Sequence, residues 1–290
     1  MYQYKKFHTE ENVFIIRDTL PESHGATAKV ILLAGQSNAT GCTFNQYLKS
    51  NVTPEKYNEY QSGYDNLYIN HFTGNNASYG FVKTSTTQGE FEACFGPEVG
   101  MAETLHEMYP NELIFIIKCS WSGSNLYQQW LSPSSGHPGI FYQDFVRYVE
   151  QNLNYLKSKG YQPQIQAMCW MQGESDTIYE DTATKYADNL ANFIQDLRNH
   201  FSTVSIHDGF AFIDATIASG TVWPHDTLVN TGKQTVANLA NNNVLIDTNT
   251  AGLTCTQEPI NNPNMAHYDS LSQIELGHLF AEQIAQFFHN

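Results

Sequence analysis

Ser37 stands at the end of the apolar run Lys29–Gly35, in the block Gly35-Gln36-Ser37-Asn38. A hydroxyl held there can act as a nucleophile if a nearby base takes its proton. A base is available close to the C-terminus, where His267 lies in Asn264-Met265-Ala266-His267-Tyr268-Asp269. Two further blocks close apolar runs. Cys119-Ser120-Trp121-Ser122-Gly123-Ser124 offers a glycine turn whose backbone N–H can donate, and Met171-Gln172-Gly173-Glu174-Ser175-Asp176 offers an amide and carboxylates. Nucleophile, base, oxyanion donors and an orienting acid are the components of acyl transfer. Each residue also has an ordinary structural use. A serine after a strand commonly caps a helix, a glycine permits a turn, and a glutamine satisfies loop backbone.

These residues converge only if the elements between them bring their blocks together. Residues 29–35, 66–72, 112–119, 165–173, 210–214 and 243–248 read as strands, and the continuous apolar stretches Ile31–Ala34 and Leu113–Ile117 suit strands covered on both faces. Helical spacing links Phe141, Phe145, Val149, Leu153 and Leu156. It also links Tyr186, Leu190, Phe193, Leu197 and Phe201, and Leu276, Phe280, Ile284 and Phe287. Strands alternating with helices predict an α/β fold, a doubly wound and mostly parallel sheet. Ligands bind such sheets at the carboxyl ends of the strands, where the four blocks fall. Residues 36–64 and 73–95, rich in Asn, Gly, Ser, Thr and Tyr, read as long functional loops. Residues 1–27 read as an N-terminal extension packed on a single domain spanning 1–290.

The composition narrows the partners. Of 290 residues, 41% are hydrophobic and 15% charged, which excludes a disordered chain. Acidic residues outnumber basic ones 29 to 14, and the net charge of -15 repels nucleic acid and anionic membranes. No window approaches a membrane span. The five cysteines include no CxxC pair, and the histidines show no ligand spacing, so neither a metal nor a cofactor is expected. Residues 1–18 lack an apolar stretch of signal-peptide length, so the chain as written is expected to be cytoplasmic, with a surface or phage-particle location left open.

Taken jointly, Gly35-Gln36-Ser37-Asn38 after the first strand, Trp170-Met171-Gln172-Gly173-Glu174-Ser175-Asp176 after a middle strand, and His267-Tyr268-Asp269-Ser270 before a final helix resemble the SGNH hydrolases. Within them the likeness is to the sialate O-acetylesterase and acetylxylan esterase branch, carbohydrate esterase family six, over about residues 28–288. Phe95-Gly96-Pro97-Glu98-Val99-Gly100, opening a helix, and Glu275-Leu276-Gly277 extend it. The resemblance implies a three-layer α/β/α sandwich around a flavodoxin-like sheet. It further implies a serine-dependent, metal-free carboxylic ester hydrolase that removes acetyl groups from a polysaccharide or glycan. In that reading Ser37 is the nucleophile and His267 the general base, and the oxyanion hole comprises the N–H groups of Ser37 and Gly123 with the Gln172 side chain. The family often has Asp where this chain has Asn264, and an amide cannot balance an imidazolium charge. Glu174 follows the strand whose end supplies Gln172, and the resemblance implies it as the triad acid, as in some relatives of this branch, with Asp269 as the other candidate carboxylate. A catalytically silent carbohydrate-binding module on the same scaffold, and a GDSL-like lipase or thioesterase, are the alternatives.

Overall fold

Val30–Ala34 contains no polar residue, and a strand apolar on both sides must be covered on both sides. In the computed structural model, which describes residues 20–206 and 209–288, this run lies in the central strand, with Ala28–Gly35 all buried. The strands are β1 (Thr27–Gly35), β2 (Thr43–Phe44), β3 (Leu67–Phe72), β4 (Val82–Lys83), β5 (Cys94–Phe95), β6 (Ile114–Ser120), β7 (Gln162–Met171), β8 (Ala211–Ala215) and β9 (Asn243–Ile246). The helices are α1 (Ser37–Thr40), α2 (Asn45–Asn51), α3 (Pro54–Ser62), α4 (Glu98–Met108), α5 (Ile140–Ser158), α6 (Glu180–Thr184), α7 (Tyr186–His200), α8 (Asp226–Ala237) and α9 (Ser270–Ala285).

Seven strands form one sheet in the order β4-β3-β6-β1-β7-β8-β9. Every neighbouring pair is parallel except β3 and β4. The expected α/β sandwich is therefore the observed architecture. From β1 the chain builds outward to β3, returns through β6, and continues on the other side through β7. The order thus reverses at β1, and such a switch point opens a crevice beyond the carboxyl ends of the flanking strands. Gly35, Ser120 and Met171 meet there in register.

Helix packing fixes the blocks on either side of this crevice. Helices α4 and α9 approach so closely that a Cβ at Gly100 would lie 2.0 Å from the Ile274 carbonyl oxygen, and one at Gly277 would lie 2.2 Å from that of Pro97. Both contacts tolerate only hydrogen, which explains the two glycines in these blocks. Helices α5 and α7 are held by aromatic packing: Trp130 meets Phe145 and Trp170 with ring centres 5.9 and 5.1 Å apart, and Trp170 meets Phe193 at 4.8 Å.

The six expected strands and three expected helices are all present. Residues 36–64 differ from the expectation, because they carry α1, α2 and α3 in place of a loop. Helix α3 buries only Tyr57 and Tyr60, too few apolar positions to give a period. Its ends were nevertheless encoded, since Thr53 accepts from Lys56 N at 3.2 Å, Pro54 begins the helix and Gly63 ends it. Residues 73–95 are irregular apart from the two-residue strands β4 and β5. Of the expected N-terminal extension, residues 1–19 lie outside the described residues. Leu20 packs against the core, and the Pro21 carbonyl accepts from Tyr161 Oη at 2.6 Å.

Candidate active site

Ser37 opens α1 directly beyond β1 and is 4% exposed. Gln36 makes this sharp strand-to-helix turn possible. Its backbone is extended (φ −110°, ψ −150°) and its N–H donates to the Met171 carbonyl at 2.9 Å. Its side-chain oxygen accepts from Ser175 N at 3.0 Å and from Gln172 Nε2 at 3.2 Å. The first block is thereby tied to the end of β7.

Gly123 lies in the turn after β6 with φ +70°, a conformation that favours glycine. The backbone N–H groups of Ser37 and Gly123 donate to no protein acceptor among the described residues. Two backbone donors left free at the ends of adjacent strands are what an oxyanion hole requires.

The Gln172 side chain departs from its expected role. It is fully buried, and its amide nitrogen already faces three acceptors: Asp176 Oδ2 at 2.6 Å, the Ser124 carbonyl at 3.1 Å and Gln36 Oε1 at 3.2 Å. Its two N–H groups are consumed there, while its oxygen accepts from Tyr186 Oη at 3.1 Å. Asp176 also accepts from the backbone N–H groups of Leu126 and Tyr127. Burial raises the Asp176 carboxyl to about 6, against the lowering effect of these donors. Gln172 and Asp176 thus anchor the segment that continues from the Gly123 turn.

Glu174 likewise does not reach His267. Its Oε1 accepts from Asn38 Nδ2 at 2.8 Å, and its Oε2 is buried without a protein partner. Burial holds its carboxyl above the usual range. Asn38 carries the connection onward. Its Nδ2 also donates to the Ala266 carbonyl at 3.3 Å, and its Oδ1 accepts from Tyr268 N at 3.0 Å. Glu174 therefore reaches the backbone on both sides of His267 through one intervening amide. Nothing in the sequence distinguished this use of Asn38 from that of any polar residue after a nucleophile.

The His267 imidazole is half-buried and makes no hydrogen bond among the described residues. Burial lowers its pKa, and the Glu90 carboxylate opposes that effect. Asn264 is exposed and its Oδ1 accepts from Ala266 N at 3.2 Å, so it shapes the turn without touching the ring. Asp269 begins α9 and accepts from Thr254 Oγ1 and from the N–H groups of residues 256–258. It closes a loop. Trp121 and Trp130 are buried in the aromatic core. Among the described residues no three His, Cys, Asp or Glu side chains gather where they could hold a metal ion. No helix of the described residues is long and apolar enough to cross a membrane.

A cavity of about 1230 Å³ lies between the first turns of α5 and α7, bordered by Tyr127, Gln143, Arg147, Lys185 and Asn189. None of Ser37, Gly123, Gln172, Glu174 and His267 lines it.

Comparison with known proteins gives an independent reading of this arrangement. The family model described as carbohydrate esterase, sialic acid-specific acetylesterase matches residues 27–286. No curated protein matches the sequence. Among solved structures, an Arabidopsis thaliana protein superposes with a TM-score of 0.66 at 19% identity, over 90% of this chain and 100% of that one. The protein NanS superposes with a TM-score of 0.62 at 16% identity, over 90% and 97%. A carbohydrate acetylesterase from Xanthomonas citri gives 0.56 at 16% identity, over 89% of this chain and 56% of that one. At these identities the structural likenesses establish the fold.

Proposed function

The chain belongs to the sialic acid-specific acetylesterase family of carbohydrate esterases, and from that premise we propose that it releases acetate from an O-acetylated glycan through a Ser37 acyl-enzyme. Membership makes it a carboxylic ester hydrolase. The serine mechanism is the reading offered for its chemistry.

His267 takes the proton from Ser37 Oγ as that oxygen attacks the acetyl carbonyl. The carbonyl oxygen becomes an oxyanion received by the Ser37 and Gly123 N–H groups. His267 then returns the proton to the departing sugar hydroxyl. Water repeats the sequence on the acetyl-enzyme and regenerates Ser37. Asn38 and Glu174 position the His267 backbone. Gln172 and Asp176 hold the floor beneath the oxyanion donors.

The observation that carries the proposal is the pair of free backbone donors, one belonging to Ser37 itself and the other to the adjacent glycine turn. Any helix start leaves its first N–H groups free; what supports the reading is that one such donor belongs to the serine itself and the other to the turn after the neighbouring strand. The test is acetate release from p-nitrophenyl acetate, acetylated xylan and O-acetylated sialic acid, together with fluorophosphonate labelling. Ser37→Ala should keep the wild-type melting temperature and lose both hydrolysis and label. Labelling at another serine, or unchanged hydrolysis in Ser37→Ala, would refute the assignment. No acetate release from wild type with any of the three esters would favour the silent binding module.

A further inference from the structure

We infer that Glu90 is a positioning residue that locks the nucleophile turn to the oxyanion turn. The inference rests on the reading of Ser37, Gly123 and His267 given above. Glu90 lies in the irregular stretch between β4 and β5, which carries no recognisable motif.

Its contacts are directed at both catalytic turns. The Glu90 N–H donates to the carbonyl of Gly41, the residue that ends α1, at 2.9 Å. Its Oε2 accepts from Cys42 Sγ at 2.8 Å and from Ser122 Oγ at 2.9 Å. Ser122 immediately precedes Gly123. Asn75 Nδ2 donates to the other carboxylate oxygen at 3.1 Å, which fixes the group from its outer side. One side chain therefore sets the spacing between the turns that supply the two free N–H groups. That spacing decides whether both donors can reach one oxyanion.

The other two carboxylates near the site are committed elsewhere. Asp269 is turned toward N–H groups of residues 256–258, and Glu174 toward Asn38. Glu90 also favours the protonated form of His267 that burial disfavours.

Two substitutions test the clamp. Glu90→Ala removes it, and Glu90→Gln keeps the size and an accepting oxygen. With p-nitrophenyl acetate, Glu90→Ala should lower kcat by roughly 10- to 100-fold, with KM changed less than about twofold, and Glu90→Gln should recover part of that loss. A kcat within twofold of wild type in folded Glu90→Ala would overturn the inference, and so would a loss confined to KM. Should Glu90→Ala fail to fold, Glu90→Gln decides in its place: kcat and KM both within twofold of wild type would overturn the inference. Failure of the parent reading shows elsewhere, as hydrolysis retained in Ser37→Ala.

Discussion

Removing the Asn38 side chain tests the central connection of the site. Asn38 is 3% exposed, and Asn38→Ala leaves three groups without their partner: Glu174 Oε1, the Ala266 carbonyl and Tyr268 N. An orphaned buried polar group costs about 1–3 kcal/mol. Taking the lower figure for each, because a small cavity can admit water, gives about 3 kcal/mol in all. For a chain of this size each kcal/mol lowers the melting temperature by about 2–4 °C, so the variant should melt roughly 6–12 °C below wild type. Activity should fall further than stability explains, because His267 loses the anchors on both sides of its backbone. A misplacement near 1 Å costs on the order of 100-fold. The assay is thermal melting alongside kcat/KM for p-nitrophenyl acetate, measured well below the variant's melting temperature. Asn38→Asp serves as the conservative companion, since it can still accept from Tyr268 N but can donate to Glu174 only as a neutral acid. Melting within 2 °C of wild type, or kcat/KM within threefold for Asn38→Ala, would refute the argument that Asn38 joins Glu174 to the His267 segment.

Gln172→Ala should lower both melting temperature and kcat, because the amide satisfies Asp176 and the Ser124 carbonyl; a fall of about 10²–10³-fold in kcat with unchanged melting would restore the oxyanion role expected from the sequence. The pH profile should place the acidic limb of kcat/KM below 6.5. Burial depresses the His267 pKa, so the neutral base persists to lower pH than a free imidazole, and a limb above 6.5 would contradict the burial. EDTA should leave acetate release unchanged, since the described residues bring no metal-ligand set together; activity lost to EDTA and restored by a divalent ion would show that a metal takes part.

The difference between Gln36 and Gln172 shows why some of the site could be read in advance and some could not. Both stand in the expected blocks, and both amides end in the same buried network. A sequence carries the type and spacing of a side chain but not the number of acceptors waiting for its N–H groups. The family resemblance implies an oxyanion role for Gln172; three acceptors, two of them from other segments, take its two hydrogens instead. Glu174 follows the same logic. Its block puts it at the correct edge of the sheet, yet Asn38, 136 residues away, occupies the oxygen expected to face His267.

The sequence by itself determined the sheet and the face on which the chemistry gathers. Short continuous apolar runs suit strands covered on both faces, and the order in which they alternate with helices places Ser37, Gly123, Gln172 and His267 at carboxyl ends or beside them. The close helix contact at Gly100 and Gly277 was not legible there: the glycines permit it, but only the structure shows which backbone each one meets. Tertiary structure alone decided which polar groups pair. The joining of Asn38 to Ala266 and Tyr268, the commitment of Gln172 to Asp176, and the reach of Glu90 to Gly41, Cys42 and Ser122 depend on distances between segments remote in the chain. Those distances are set by packing summed over the whole core, and no local spacing records them.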